Sequence, residues 1–210
     1  MDFTNEKILS PFFIKTNVKD DFDLLRKELL DTILTNYNNK NNNCTWWGVN
    51  TDEQTRTTDR SVLLEEIDYE KILPIYEKYL NEYNKRNLNK EFKAEIYNIW
   101  YVAYGKGKGA TLHQHSTGGA SLGEFAGIHF FKFNPKLHNS VTFASINRIQ
   151  NRYYTKNNAK FKDVNYFDEE YTPDAIQDDL ILFPIDLWHK VENNQSDEVR
   201  ITICFNAKLV

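Results

Sequence analysis

The chain has 210 residues, 40% of them hydrophobic and 14% aromatic, which suits a globular protein with one sizeable core. Its 26 Lys and Arg against 30 Asp and Glu leave a formal charge of -4, so it lacks the general basic footprint of a nucleic-acid binder. No long apolar run occurs and Met1-Asp2-Phe3 opens no secretory signal, which predicts a soluble, cytoplasmic protein without a membrane role. Cys44 and Cys204 lie far apart, and Cys204 falls in a predicted core strand, as expected of reduced thiols.

Ile8 to Ile14, around Pro11, reads as an edge strand. Asn17 to Asp20 offer caps for a helix over Asp21 to Tyr37, in which Phe22, Leu25, Leu29, Ile33 and Leu34 form an apolar stripe. Asn38 to Asn43 is a polar loop, and the stretch from Cys44 to Ser61, with Trp46 and Trp47, shows no clear period. A second helix is expected over Asp68 to Lys85. It would bury Ile72, Ile75, Tyr76, Tyr79, Leu80 and Tyr83, with Pro74 either near its start, where a missing N–H costs least, or marking a break.

From Phe92 onward the pattern becomes strand-like. Strands are expected at Ala94–Tyr104, Thr111–His115, Gly127–Phe133, Ser140–Ile146 and Gln150–Tyr154, then at Leu180–Phe183 and around Trp188–Val191. In the last strand Val199, Ile201, Ile203 and Phe205 share one face, and Arg200, Thr202, Cys204 and Asn206 the other. Small polar groups around one Arg suit the inside of a barrel holding a small ligand, with the apolar face packed outside. An exposed edge strand is the competing reading. The layout is α+β and mainly β: one domain over residues 1–210, with 1–91 as helical support for a β core over 92–210.

His113 and His115, two apart on a strand, point to one face and can reach one metal. His189 is the natural third ligand, and three imidazoles suit a first-row transition metal. His129 and His138 read as structural. Gly105-Lys-Gly-Lys-Gly109 lacks the Gly-Lys-Ser/Thr ending of a phosphate loop and reads as a β-turn. Gly118 to Gly123 reads as a flexible loop after His115. Arg148 to Lys162, which mixes basic residues with Tyr153, Tyr154 and Phe161, reads as a solvated insertion, with nucleic acid or an acidic peptide as the competing ligand.

Trp100-Tyr-Val-Ala-Tyr104-Gly105, His113-Gln-His115, Ala126-Gly-Ile-His-Phe-Phe-Lys-Phe-Asn134, Leu182-Phe-Pro184, His189-Lys-Val191 and Arg200-Ile-Thr202 before Phe205-Asn206 follow one another in a telling order. Together they resemble the iron(II)/2-oxoglutarate-dependent dioxygenases with a double-stranded β-helix (jelly-roll, cupin-like) barrel, and in particular a group common in marine phages and bacteria. The resemblance covers roughly Ala94 to the C-terminus. It implies Fe(II) held by His113, His115 and His189, with 2-oxoglutarate as cosubstrate. Arg200 would pair with the distal carboxylate of 2-oxoglutarate, helped by Thr202 and Tyr104. It further implies hydroxylation by O2 of an unidentified protein side chain, nucleobase or small molecule, with release of succinate and CO2, in the host cytoplasm if the gene is a phage's.

One departure stands out: His115 occupies the position where these enzymes carry Asp or Glu. The site therefore also resembles the three-histidine cupins, some of whose dioxygenases do not use 2-oxoglutarate. Pro184, His189 and Asn193 reproduce the spacing of the second cupin motif, whereas Glu124 lies too far from His115 for the first. A carboxylate from Asp186 or Glu124 in place of one paired histidine, and a metal-free binding or virion-associated barrel, are the other readings.

Overall fold

The computed structural model describes residues 4–5, 14–38, 55–57, 67–87, 93–115, 124–144 and 170–210. In chain order the strands among them are β1 (Thr4–Asn5), β2 (Ile14–Asn17), β3 (Thr55–Thr57), β4 (Ala94–Tyr104), β5 (Ala110–His113), β6 (Glu124–Lys132), β7 (Val141–Ala144), β8 (Glu170–Tyr171), β9 (Asp179–Pro184), β10 (His189–Val191) and β11 (Arg200–Leu209). The helices are α1 (Lys19–Phe22), α2 (Arg26–Asn38) and α3 (Leu73–Asn87), the last preceded by a 3-10 turn at Tyr69–Lys71.

Seven strands form one sheet in the order β1-β2-β9-β6-β11-β4-β3, and four form a second in the order β5-β10-β7-β8. The pairings are antiparallel. The sheets pack through ring contacts such as Phe143 to Phe183 and Phe183 to His189, at 4.9 and 5.0 Å. This two-sheet barrel is a double-stranded β-helix, the fold expected from the motif order.

β11 is an interior strand of the larger sheet, paired with β4 on one side and β6 on the other, and it is buried from Arg200 to Ala207. Its apolar face meets the helical layer, where Phe205 packs on Tyr76 of α3 with centroids 4.9 Å apart. Burying Ile201, Ile203 and Phe205 there contributes about 1.5–3 kcal/mol each. Gly127 of β6 lies directly across from Phe205, and a Cβ on it would sit 2.2 Å from the Phe205 ring. Only glycine leaves room for that ring.

A buried polar network ties the helices to the sheet. Tyr76 donates its O–H to His129 Nδ1 (2.8 Å), and His129 donates Nε2–H to the Asp178 carboxylate (3.2 Å), so one neutral tautomer satisfies both bonds. Arg26 ion-pairs with the same carboxylate and donates to the Phe131 carbonyl at 2.8 Å. His129 is thus a structural histidine on a core strand, as expected. His138 is structural too, accepting from the Asn134 N–H and donating to the Glu198 carbonyl.

The helix expected over Asp21 to Tyr37 is broken between Phe22 and Arg26. Residues 23–25 form a turn between α1 and α2; Phe22 packs on His129 (4.6 Å) and Arg26 pairs with Asp178. The second expected helix also divides, at Ile72, and Pro74 sits in the first turn of α3 as predicted. β2 begins where the expected edge strand ends. It is not an edge, because β9 flanks it on one side and β1 on the other. The glycine-rich run is a turn: Lys108 N–H donates to the Gly105 carbonyl, and Gly107 takes φ 77°. The readings for 8–13, for the Cys44–Ser61 stretch apart from β3, for Gly118–Gly123, for the end of the Ser140–Ile146 strand and for Arg148–Lys162, including the Gln150–Tyr154 strand, lie outside the described residues.

Candidate metal centre

β5 and β10 are neighbours in the smaller sheet, and their register sets His113 directly opposite His189. The two ring centroids are 4.3 Å apart. His115 follows β5 and is held there by its backbone N–H, which donates to the Ile185 carbonyl at 3.1 Å. Its ring lies 5.4 Å from that of His113 and 4.9 Å from that of His189. The nitrogen donors of all three fall within 4.8 Å of one another, and among the described residues no carboxylate joins them. Glu124 instead accepts from the Tyr97 hydroxyl, and Asp186 is exposed.

The hydrogen bonds assign the tautomer of each ring. Nδ1 of His113 faces the Thr111 carbonyl at 2.7 Å, Nδ1 of His189 the Leu187 carbonyl at 2.9 Å, and Nδ1 of His115 the Asn206 Oδ1 at 2.9 Å. A proton on each Nδ1 satisfies these acceptors and leaves three Nε2 lone pairs. Burial holds all three rings neutral. It lowers His113, brings His115 down to about 4, and takes His189 well below its usual range with help from its two imidazole neighbours. Three neutral, converging nitrogen donors fit a first-row divalent metal.

The histidines open on a cavity between the sheets, enclosing about 430 Å³ of empty space that includes open solvent. Trp100, Val102 and Tyr104 of β4 line it, with Ile128 of β6, Val191 of β10, and Arg200, Thr202 and Cys204 of β11. The polar face of β11 therefore points inward. Arg200 is 1% exposed, and its Nε and Nη1 have no hydrogen-bond partner among the described residues. Its guanidinium lies 5.1, 5.6 and 5.8 Å from the rings of Tyr104, Phe130 and Phe133. Aromatic faces offset part of the cost of burying that charge, but they accept none of its N–H protons. Such a group fits a small anion in the same cavity. Thr202 accepts from the Cys204 thiol at 3.8 Å, which leaves its own O–H as a donor. Burial raises Tyr104, which keeps its phenolic proton.

Residues 98–206, just over half of the chain, match the family described as "Putative 2OG-Fe(II) oxygenase". The chain belongs to this family. It is an iron(II)- and 2-oxoglutarate-dependent oxygenase, using O2 as its other cosubstrate. Family membership sets aside the three-histidine cupin that does without 2-oxoglutarate, and the non-catalytic barrel. Similar solved structures include a Pseudomonas putida prolyl-4-hydroxylase, 10% identical, with a TM-score of 0.55 over 94% of this chain and 91% of the other. EctD from S. alaskensis with 2-oxoglutarate and 5-hydroxyectoine is 10% identical, with a TM-score of 0.64 over 93% of this chain and 71% of the other. HygX from Streptomyces hygroscopicus with nickel and 2-oxoglutarate is 11% identical, with a TM-score of 0.55 over 93% and 82%. No curated protein matches the chain.

All six residues singled out from the oxygenase's sequence, His113, His115, His189, Arg200, Thr202 and Tyr104, line this one cavity. Sequence reasoning missed the aromatic box of Phe130 and Phe133 around Arg200, and the bond from His115 to Asn206. The shared face of Arg200 and Asn206 on β11 was the available signal for the second. No helix among the described residues is long and apolar enough to cross a membrane.

Proposed function

We propose that His113, His115 and His189 hold the iron of this oxygenase through their Nε2 atoms, and that Arg200 anchors the distal carboxylate of 2-oxoglutarate. The observation carrying this reading is a fully buried guanidinium with unpartnered donors in the same cavity as three converging imidazoles. When bound, iron and 2-oxoglutarate supply the oxidising chemistry that hydroxylates a substrate C–H bond with O2, releasing succinate and CO2. The protein's part is placement. Arg200 offers forked donors to a carboxylate, and its pairing there relieves the charge it buries. Thr202 and the protonated Tyr104 add hydroxyl donors on the same side, while Trp100, Val102, Ile128 and Val191 keep the cavity walls apolar and limit water. The free, buried Cys204 accords with a reducing, cytoplasmic setting.

Anaerobic titration of the iron-loaded protein with 2-oxoglutarate tests the assignment. A visible metal-to-ligand charge-transfer band should grow in with the parent chain, and much higher cosubstrate should be needed with Arg200→Ala. An unchanged titration in that variant would overturn the anchor, and iron binding with His113 or His189 replaced by Ala would overturn the ligand set.

A further inference from the structure

We propose that Asn206 is the positioning residue that makes His115 a metal ligand, by accepting the Nδ1 proton and so keeping the Nε2 lone pair for the metal. This rests on the ligand set proposed above and adds to it a residue outside that set. A neutral imidazole carries one ring proton, and the nitrogen that carries it cannot bind metal. For His113 and His189 the choice is made by backbone carbonyls close by in their own segments, those of Thr111 and Leu187. For His115 the acceptor comes from across the barrel: Asn206 Oδ1, at 2.9 Å, on β11, an interior strand of the larger sheet.

Asn206 is 6% exposed and shares the inward face of β11 with Arg200, Thr202 and Cys204. The β11–β4 register slips immediately after it, a bulge of the kind that re-aims a side chain. The Trp100 ring lies edge-on to His115 at 5.3 Å and borders the imidazole on another side. The amide's two ends are not equivalent. Its oxygen selects the Nδ1–H tautomer that leaves Nε2 for metal, whereas its NH2 end would select the opposite one. A neutral histidine at this position therefore depends on an acceptor opposite it, a demand that a carboxylate ligand would not make.

The test compares Asn206→Leu, which keeps bulk and removes the acceptor, with Asn206→Asp, which keeps the acceptor and has no N–H end. Co(II) affinity is measured by chelator competition, and the His115 tautomer by long-range 1H–15N correlation in the metal-free protein. Asn206→Leu should weaken Co(II) about 10- to 100-fold and lose the pure Nδ1–H pattern, while Asn206→Asp retains both. In a His115→Ala background, Asn206→Leu should cost nothing further. Parental affinity in Asn206→Leu, an equal loss in the His115→Ala background, or failure of Asn206→Asp to restore binding would each overturn the proposal. Undiminished Co(II) affinity in His115→Ala alone would overturn it by a different route, because the ligand set itself would then be wrong.

Discussion

Replacing Arg200 by Met should have opposite effects on the empty and the loaded protein. In the empty protein the guanidinium is buried, boxed by three rings, and leaves two of its nitrogens unpartnered. An unpaired buried charge is a burden, and an apolar residue of similar length relieves it, so apo stability should stay level or rise by about 1–4 kcal/mol. If Arg200 anchors 2-oxoglutarate as proposed, in the loaded protein the same change removes a charge-assisted pair with its distal carboxylate. Loss of a buried pair of that kind costs about 2–5 kcal/mol, which is about 30- to several-thousand-fold in cosubstrate affinity. Thermal unfolding with and without cosubstrate reads both arms. At 100 times its dissociation constant 2-oxoglutarate adds about 2.7 kcal/mol, a shift of about 5–10 °C in a chain of this size. Arg200→Met should cut that shift to about a third or less at the same concentration without lowering the apo Tm. A variant that keeps the shift, or whose apo form melts more than about 5 °C lower, would refute the reasoning.

His113→Ala and His189→Ala should each remove stoichiometric Fe(II), measured as iron retained after anaerobic loading, whereas His115→Asp should keep it. Iron lost from His113→Ala but fully kept by His115→Ala would contradict the three-histidine set. Metal-free protein should lose stability on acidification. The folded value of His115, about 4, lies below the unfolded value of about 6.5, so the unfolded chain binds the extra proton as pH falls through that window. One such histidine contributes about 1.4 kcal/mol per pH unit there, and the stability is fully present above the window. Denaturant melts at pH 6 and pH 5 should show a shallower loss in His115→Asn than in the parent, and equal slopes would count against the assignment. Asp178→Ala strands Arg26 and unties His129, and breaking that network should cost about 3–5 kcal/mol, read as a fall in Tm of about 6–20 °C. A fall of only a degree or two would mean that the network contributes little.

The sequence by itself determined most element types and the division of the last strand into two faces. Alternation on β11 sorted Arg200, Thr202, Cys204 and Asn206 from Ile201, Ile203 and Phe205, because a period of two assigns every side chain a face once the strand is recognised. The His113-x-His115 spacing likewise placed two imidazoles together, and His189 was legible as their partner from its isolation and its distance to Arg200. The break between α1 and α2 was not legible, because the apolar spacing of Phe22, Leu25 and Leu29 runs straight through it. Nor was the cross-strand register that sets His113 against His189, since pairing partners are chosen by the whole barrel rather than by either strand. The aromatic box around Arg200 and the amide opposite His115 belong to the same class. Local pattern dictates what a residue faces, in or out. Which groups meet there, and hence which tautomer and which unpaired charge the cavity holds, is decided only when distant segments pack.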